Sequence, residues 1–216
     1  RKIALASYIA RRGKRTLQKS VTKGQFDHPT GLFFGGSSPS WSRNTWDRIV
    51  RRLEGKQRVL IVDYHTGLGE RGSGQLISPS SPTSVSGHSD WRSVAMSACF
   101  GEDGVRYLDK GNSVSTAISG DLLSYTMKCG NHLAAVALEF GTYPALRVLD
   151  ALMNENWAYH SSDPGAKIYR EQLVEVFSPD DSSWRQAVFE RAAAVTEAAI
   201  RGLTQGRQPS RGGQQV

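Results

Sequence analysis

Hydrophobic and polar positions follow two different spacings along the chain, and together these spacings predict a mixed α/β fold. Two short apolar runs, at 59–64 and 134–140, indicate strands, and the second is apolar enough to be buried on both faces of a sheet. Longer segments with apolar residues at every third or fourth position indicate amphipathic helices. The predicted helices cover residues 3–21, in one piece or two, and residues 44–54, 91–100, 116–129, 145–160, 166–177 and 183–203.

Residues with strong local preferences predict where these elements begin and end. Ser42 is expected to cap the helix at 44–54. Ser119 or Gly120 is expected to begin the helix within 116–129. Residues 72–90 are rich in Gly, Ser and Pro, so they predict one long loop. A chain of 216 residues, 38% of them hydrophobic, is sized for one α/β core.

Positive charge is concentrated in the first part of the chain. Residues 1–60 carry 14 basic and three acidic residues, a net charge of +11, whereas the whole chain carries +7. Such a basic segment can indicate an anionic partner. However, no zinc-finger or RNP-like motif accompanies it, so no specific nucleic-acid partner is expected. The basic segment has two alternative interpretations: a solvated helix face, or a surface that contacts acidic sequence absent from this chain.

The two cysteines and the hydropathy pattern bear on the cellular setting. Cys99 and Cys129 form no C-x-x-C motif, which favours neither a zinc ribbon nor a disulfide framework and suggests a reduced, cytoplasmic setting. No apolar stretch approaches the roughly 18–20 residues that cross a bilayer, so no membrane association is expected. The chain begins with Arg1 rather than Met, which predicts processing or a longer parent protein.

The two predicted strands share a pattern of functional interest. Each apolar run has an ionisable residue at or near its carboxyl end and then a glycine, in VLIVDYHTG and in AAVALEFGT. In open α/β sheets, ligands bind in the crevice outside the carboxyl ends of the strands. If the two strands lie side by side or nearly so, His65 and Glu139 face one crevice.

The chemistry of these residues suits metal-assisted hydrolysis. A neutral imidazole such as that of His65 is a good zinc ligand and also titrates near neutral pH. Asp63 lies on the same face of the strand, where it could orient His65 or be a ligand itself. Burial of Glu139 would raise its pKa toward values useful for acid–base catalysis. More ordinary roles are also open at this point: a turn cap for Asp63, a structural hydrogen bond for His65 and an arginine pair for Glu139.

Three motifs give the chain a family resemblance. DYHTGLG at 63–69 and LEFGTYP at 138–144 resemble paired signatures of a domain family of unknown function within the zinc carboxypeptidase superfamily, which includes aspartoacylases and succinylglutamate desuccinylases. GQFDHPTGLFFGGSSPSWSRNTW at 24–46 resembles the segment that precedes the His strand in that family. The resemblance spans about residues 5–200 and implies a three-layer α/β/α sandwich with a mostly parallel or mixed central sheet.

The resemblance also implies a role for each matching residue. His65 matches the third zinc ligand, and Glu139 matches the general base that passes a proton from zinc-bound water to the leaving amine. Tyr143, close after Glu139, is expected to hydrogen-bond the substrate. The implied cofactor is zinc, and the implied reaction is hydrolysis of an amide or peptide bond in a peptide or an N-acyl amino acid.

One feature of the resemblance is missing from this chain. The superfamily takes its first two zinc ligands from an upstream His-x-x-Glu motif, and no His in this sequence has a Glu three residues later. We therefore expect residues 1–203 to be the C-terminal portion of one zinc-carboxypeptidase-like domain, with 204–216 as a flexible tail, and we expect this portion to be inactive alone. The alternative is a non-catalytic relative that binds partners through the crevice or the basic surface.

Overall fold

The computed structural model describes residues 23–56, 58–80, 91–101, 103–115 and 120–205, together with positions 7, 10–13, 16, 17, 21 and 118. The helix predicted at 3–21 and the tail predicted at 204–216 lie largely outside these residues. Within the described ranges, no helix combines the length and the apolar character required to span a membrane.

Strands and helices are mixed along the chain, and three consecutive helices end the described part. The strands are β1 (Val59–Arg71), β2 (Gly74–Ser78), β3 (Val105–Tyr107) and β4 (Leu133–Gly141). The α-helices are α1 (Trp41–Arg51), α2 (Trp91–Phe100), α3 (Leu122–Lys128), α4 (Ala145–Ser161), α5 (Ala166–Phe177) and α6 (Ser182–Gln205), and a 3₁₀ turn occupies Leu108–Lys110.

The four strands form one sheet in the order β1-β4-β2-β3. β1 runs parallel to β4, and β2 runs parallel to β3, whereas β2 and β4 are antiparallel. The sheet is therefore mixed and mostly parallel. β4 lies between two partners and is the most deeply buried strand, which explains its nearly continuous apolar sequence.

Helices pack against the sheet and bury one face of it almost completely. Leu76, Val136, Leu138 and Phe140 project from β2 and β4 on this face. α2 contributes Met96 to the same core, and α6 contributes Trp184 and Val195. The indole Nε1 of Trp184 donates a hydrogen bond of 2.8 Å to the Gly141 carbonyl and so attaches α6 to the end of β4.

The remaining helices lie around the other face and the β1 side of the sheet. α3 packs against β4. α4 and α5 pack against each other through Val148, Ala151 and Val176, and both contact β1. The hydroxyl of Thr66 on β1 donates to the Phe177 carbonyl at the end of α5. This arrangement is consistent with the predicted α/β sandwich.

Most of the predicted elements are confirmed. The strand predicted at 134–140 is β4, and the helices predicted at 91–100 and 166–177 have the bounds of α2 and α5. The helix predicted at 145–160 is α4, one residue longer, and the helix predicted at 183–203 extends from Ser182 to Gln205. The two strands that carry His65 and Glu139 are neighbours, as expected.

Two predicted helix starts are wrong. Ser40 rather than Ser42 caps α1, because its hydroxyl accepts a hydrogen bond from the Arg43 amide. α3 begins only at Leu122, with Asp121 as its cap. Gly120 has a φ of +78°, a left-handed conformation that breaks the helix predicted within 116–129.

The predicted ends of the first strand and of the long loop are also wrong. β1 does not stop at Tyr64 but continues to Arg71, because Gly67 and Gly69 form an irregular segment after which pairing to Gly141 resumes. The segment predicted as a loop at 72–90 contains β2, whose hydrogen bonds are supplied by β4 and β3. β3 was not predicted, since three residues carry too little pattern.

Candidate active site on the paired strands

His65 and Glu139 are direct neighbours across the β1–β4 pair. They are partners in the parallel register, so their side chains project from the same face of the sheet. Gln75 is the partner of Glu139 on the antiparallel side, which extends the row to β2. Two residues back along the strands, Asp63 is the partner of Ala137. The sequence therefore brings one imidazole and two carboxylates onto adjacent positions of one sheet face.

Asp63 holds the imidazole of His65. The two side chains are joined by a contact of 2.7 Å between Asp63 Oδ2 and His65 Nε2. This hydrogen bond raises the pKa of His65, partial burial opposes the rise, and the negative charges of Asp63 and Glu139 add to it. The His65 side chain is 50% exposed. With Nε2 directed at Asp63, the other ring nitrogen, Nδ1, is available for a metal or a substrate.

Glu139 is held by the backbone of the opposite strand. The amide of Leu68 donates a hydrogen bond of 3.0 Å to Glu139 Oε1. Burial raises the pKa of the Glu139 carboxyl, while the Leu68 amide and the charge of His65 act in the opposite direction. A partly buried carboxyl whose pKa is raised toward neutrality is suited to accept and return a proton.

A cavity of about 120 Å³ opens beside these side chains, between the sheet and the start of α3. Its polar wall includes Asp63, His65 and Glu139. Its apolar wall includes Ile77, Leu108, Leu122 and Leu123. A small site with one polar and one apolar wall can hold a reacting polar group and an apolar substituent of the same molecule.

Sequence reasoning missed several residues of this site. The carboxamide oxygen of Gln75 accepts a hydrogen bond of 2.8 Å from the Val114 amide. Asp121 lines the cavity. Its Oδ1 caps α3, and its buried Oδ2 has no hydrogen-bond partner among the described residues. Pairing of Gln75 with β4 is a tertiary feature without a local signal, whereas Asp121 is of a residue type preferred at helix N-termini, which was an available signal. For Leu68, the glycines on either side were the available signal.

Tyr143 lies apart from the other predicted site residues. Its hydroxyl donates a hydrogen bond of 2.5 Å to Glu175 on α5. Its ring lies under two guanidinium groups, those of Arg147 at 3.7 Å and Arg71 at 4.7 Å. Tyr143 is not part of the cavity lining, so the structure joins Asp63, His65 and Glu139 but not Tyr143.

The donor chemistry of the site suits zinc, but the number of donors is incomplete. An imidazole nitrogen fixed by a carboxylate on its other nitrogen is the usual arrangement of a zinc-ligating histidine. A catalytic zinc site requires three protein ligands. In the part of the chain that the structure describes, no group of three His, Cys, Asp or Glu side chains is arranged to hold a metal. Among the described residues, the chemistry of His65 therefore fits a single zinc ligand and not a complete zinc site.

Asparagine at Asp63 is expected to lower the pKa of His65, because it removes the negative charge that favours the imidazolium. The Asp63–His65 pair stabilises the fold below the ordinary histidine pKa, and this contribution is lost as the pH rises through the raised pKa. NMR titration of the His65 ring protons in metal-free protein measures the change. The control is Glu70→Gln, an exposed carboxylate on the same strand. Equal His65 pKa values in Asp63→Asn and wild type would contradict the assignment.

The fold and the site together define a mixed α/β protein that sets a histidine and a glutamate side by side at a cavity on one sheet face. The chain belongs to the family described as "Protein of unknown function (DUF2817)", whose model matches residues 1–191. No curated protein and no solved structure matches the chain. The family match assigns no activity, so the predicted place in the zinc carboxypeptidase superfamily stays a prediction.

Proposed function

We propose that the protein is a zinc-dependent hydrolase of an amide or peptide bond, with His65 as one zinc ligand and Glu139 as the general base. The observation that carries this proposal is the register pairing of His65 with Glu139 at the cavity. Hydrolysis at a metal requires a ligating group and a proton acceptor within reach of the same water molecule. Adjacent positions on paired strands meet that requirement.

Each polar residue of the site has a distinct role in the proposed reaction. Asp63 keeps the proton of His65 on Nε2, so that Nδ1 presents its lone pair. Glu139 takes a proton from the attacking water and delivers it to the departing nitrogen. Its raised pKa assists the removal of the proton from water, since a weaker acid has a stronger conjugate base. Zinc, when bound, polarises the carbonyl and acidifies the water.

The cavity lining favours a substrate with an apolar group next to the scissile amide. Ile77, Leu122 and Leu123 line the same cavity as the polar side chains. A methylene or methyl group buried there contributes about 0.8 kcal/mol each. We propose a peptide or an N-acyl amino acid as the substrate class.

Alanine at His65 is expected to weaken zinc binding by more than about 10–100-fold, because loss of an outer-shell partner alone costs that much. The change is made in the protein produced from its complete coding sequence, and zinc content is measured after dialysis against a chelator. Hydrolysis of a panel of N-acyl amino acids and short peptides is measured in parallel.

His160→Ala is the matched control, because His160 is an exposed histidine of α4 away from the cavity. Equal zinc content in His65→Ala and His160→Ala would refute His65 as a ligand. Zinc-independent binding of the substrate panel without hydrolysis would favour the alternative, a non-catalytic binding protein.

A further inference from the structure

β1 leaves its ladder for three residues directly opposite the site. Gly67 and Arg71 are both partners of Gly141, so residues 68–70 form an excursion of the backbone. Gly67 has a φ of +142° and Gly69 a φ of +106°, conformations that L-residues with a side chain rarely adopt. The excursion thus depends on glycine at the position before it, Gly67, and at its centre, Gly69.

The excursion changes the direction of one amide. The N–H of Leu68 points at a side chain, Glu139 Oε1, at 3.0 Å. No arginine or lysine lines the cavity among the described residues, so no basic side chain of the lining holds this carboxylate. A carboxylate that accepts a backbone hydrogen bond is fixed more rigidly than one held by a flexible side chain, since the donor belongs to the strand itself.

Neighbouring side chains also limit the space around Gly67. A Cβ at this position would lie 3.1 Å from Phe177 Cε1 and 3.8 Å from Glu139 Oε1. The backbone of Phe177 is attached to β1 here, because its carbonyl accepts a hydrogen bond of 2.7 Å from the Thr66 hydroxyl. α5 therefore packs against the excursion beside Gly67, next to the Leu68 amide that bonds Glu139.

We propose that the Leu68 amide, aimed by Gly67, is the group that positions the Glu139 carboxylate at the cavity. The catalytic importance of this device rests on the proposed function, whereas the positioning itself does not. Leu68 and Gly67 are positioning residues: they act through Glu139 and do not contact the reacting atoms.

The test compares alanine variants of two glycines that both have positive φ, one at the excursion and one just beyond it. Gly67→Ala should displace the Leu68 amide and lower kcat by about 10²-fold with little change in KM, the loss expected for a misplacement of about 1 Å. Gly72→Ala is the matched control: Gly72 also has positive φ, +74°, and its Cβ would meet Ala187 at an ordinary 3.6 Å. Its kcat should stay within about threefold of wild type. Equal losses in the two variants would overturn the proposal.

A spectroscopic measurement keeps the proposal testable if Gly67→Ala fails to fold or if no hydrolysis is found. The Leu68 amide proton of the wild-type protein should resonate downfield, since it donates to a carboxylate, and should move upfield in Glu139→Gln. An unchanged Leu68 resonance would overturn the proposal. A moved resonance in a protein without hydrolase activity would support the positioning and refute the proposed function.

Discussion

Glutamine in place of Glu139 is expected to reduce amide hydrolysis by about 10²–10⁴-fold, the usual contribution of a general base. The carboxamide has the shape of the carboxylate and its oxygen can still accept the Leu68 hydrogen bond, but it cannot take a proton from water. Zinc content should remain at the wild-type level, because Glu139 is not proposed as a ligand. The measurement is kcat/KM on the best substrate of the panel, with metal analysis of the same preparation.

The control for this variant is Glu190→Gln, which removes an exposed carboxylate on α6 and should leave kcat/KM unchanged. Wild-type activity in Glu139→Gln would refute the mechanism. Loss of zinc together with activity would assign Glu139 to the metal instead.

The same substitution has a defined effect on stability. Burial raises the pKa of Glu139, so the folded protein holds this proton more tightly than the unfolded chain does. Wild-type stability therefore falls as the pH rises from the ordinary glutamate value through the raised one. Glu139→Gln lacks this pH dependence. Its free energy of unfolding should therefore rise relative to that of the wild type across this pH interval, as measured by urea unfolding at several pH values.

Alanine at Gly141 is expected to lower the free energy of unfolding by at least about 3 kcal/mol, at or beyond the upper end of typical overpacking costs. A Cβ at this position would lie 2.0 Å from the Glu70 carbonyl oxygen and 2.5 Å from the Gly69 carbonyl carbon. Both atoms belong to the backbone, so no side-chain rotation relieves the clash. The end of β1 would have to separate from β4, which breaks the pairing of Gly67 and Arg71 with Gly141.

The comparison for this change is Gly111→Ala, measured by urea or thermal unfolding. Gly111 has a φ of +65° and open space where a Cβ would lie, so its substitution should cost only the left-handed strain of about 1–2 kcal/mol. Equal destabilisation of the two variants would show that the close approach of β1 to Gly141 is not required.

The sequence predicted those parts of the fold that local pattern determines. β4 was recognisable because a strand between two partners is apolar on both faces, and α5 because its apolar residues recur at helical spacing. β2 was missed because Gly74–Ser78 is a strand only through its pairing with β4. The far half of β1 was missed because its glycines have the composition of a turn.

The same distinction applies to the candidate site. His65 and Glu139 were predicted from strand ends, and the contact of Asp63 with His65 from the alternation of side chains along a strand. A backbone donor has no residue signature, so only the flanking glycines marked the Leu68 amide. Asp121 is a preferred N-cap residue beside the predicted helix start, but its place at the cavity depends on packing. Tyr143 was predicted because it follows Glu139 closely in the sequence. Closeness in sequence beyond the end of a strand does not determine where a side chain points, and that of Tyr143 bonds Glu175 outside the cavity lining.

The position of each strand in the sheet gives the two halves of the site different mobility. Glu139 lies on β4, which has a strand on either side, so its amides should exchange with solvent only through global unfolding. His65 lies on β1, whose only partner among the described strands is β4, and local opening there costs less. Glu139 is thus expected to lie in the slowest-exchanging part of the described sheet and His65 in a faster one. Any ligand that bridges His65 and Glu139 would slow exchange chiefly along β1.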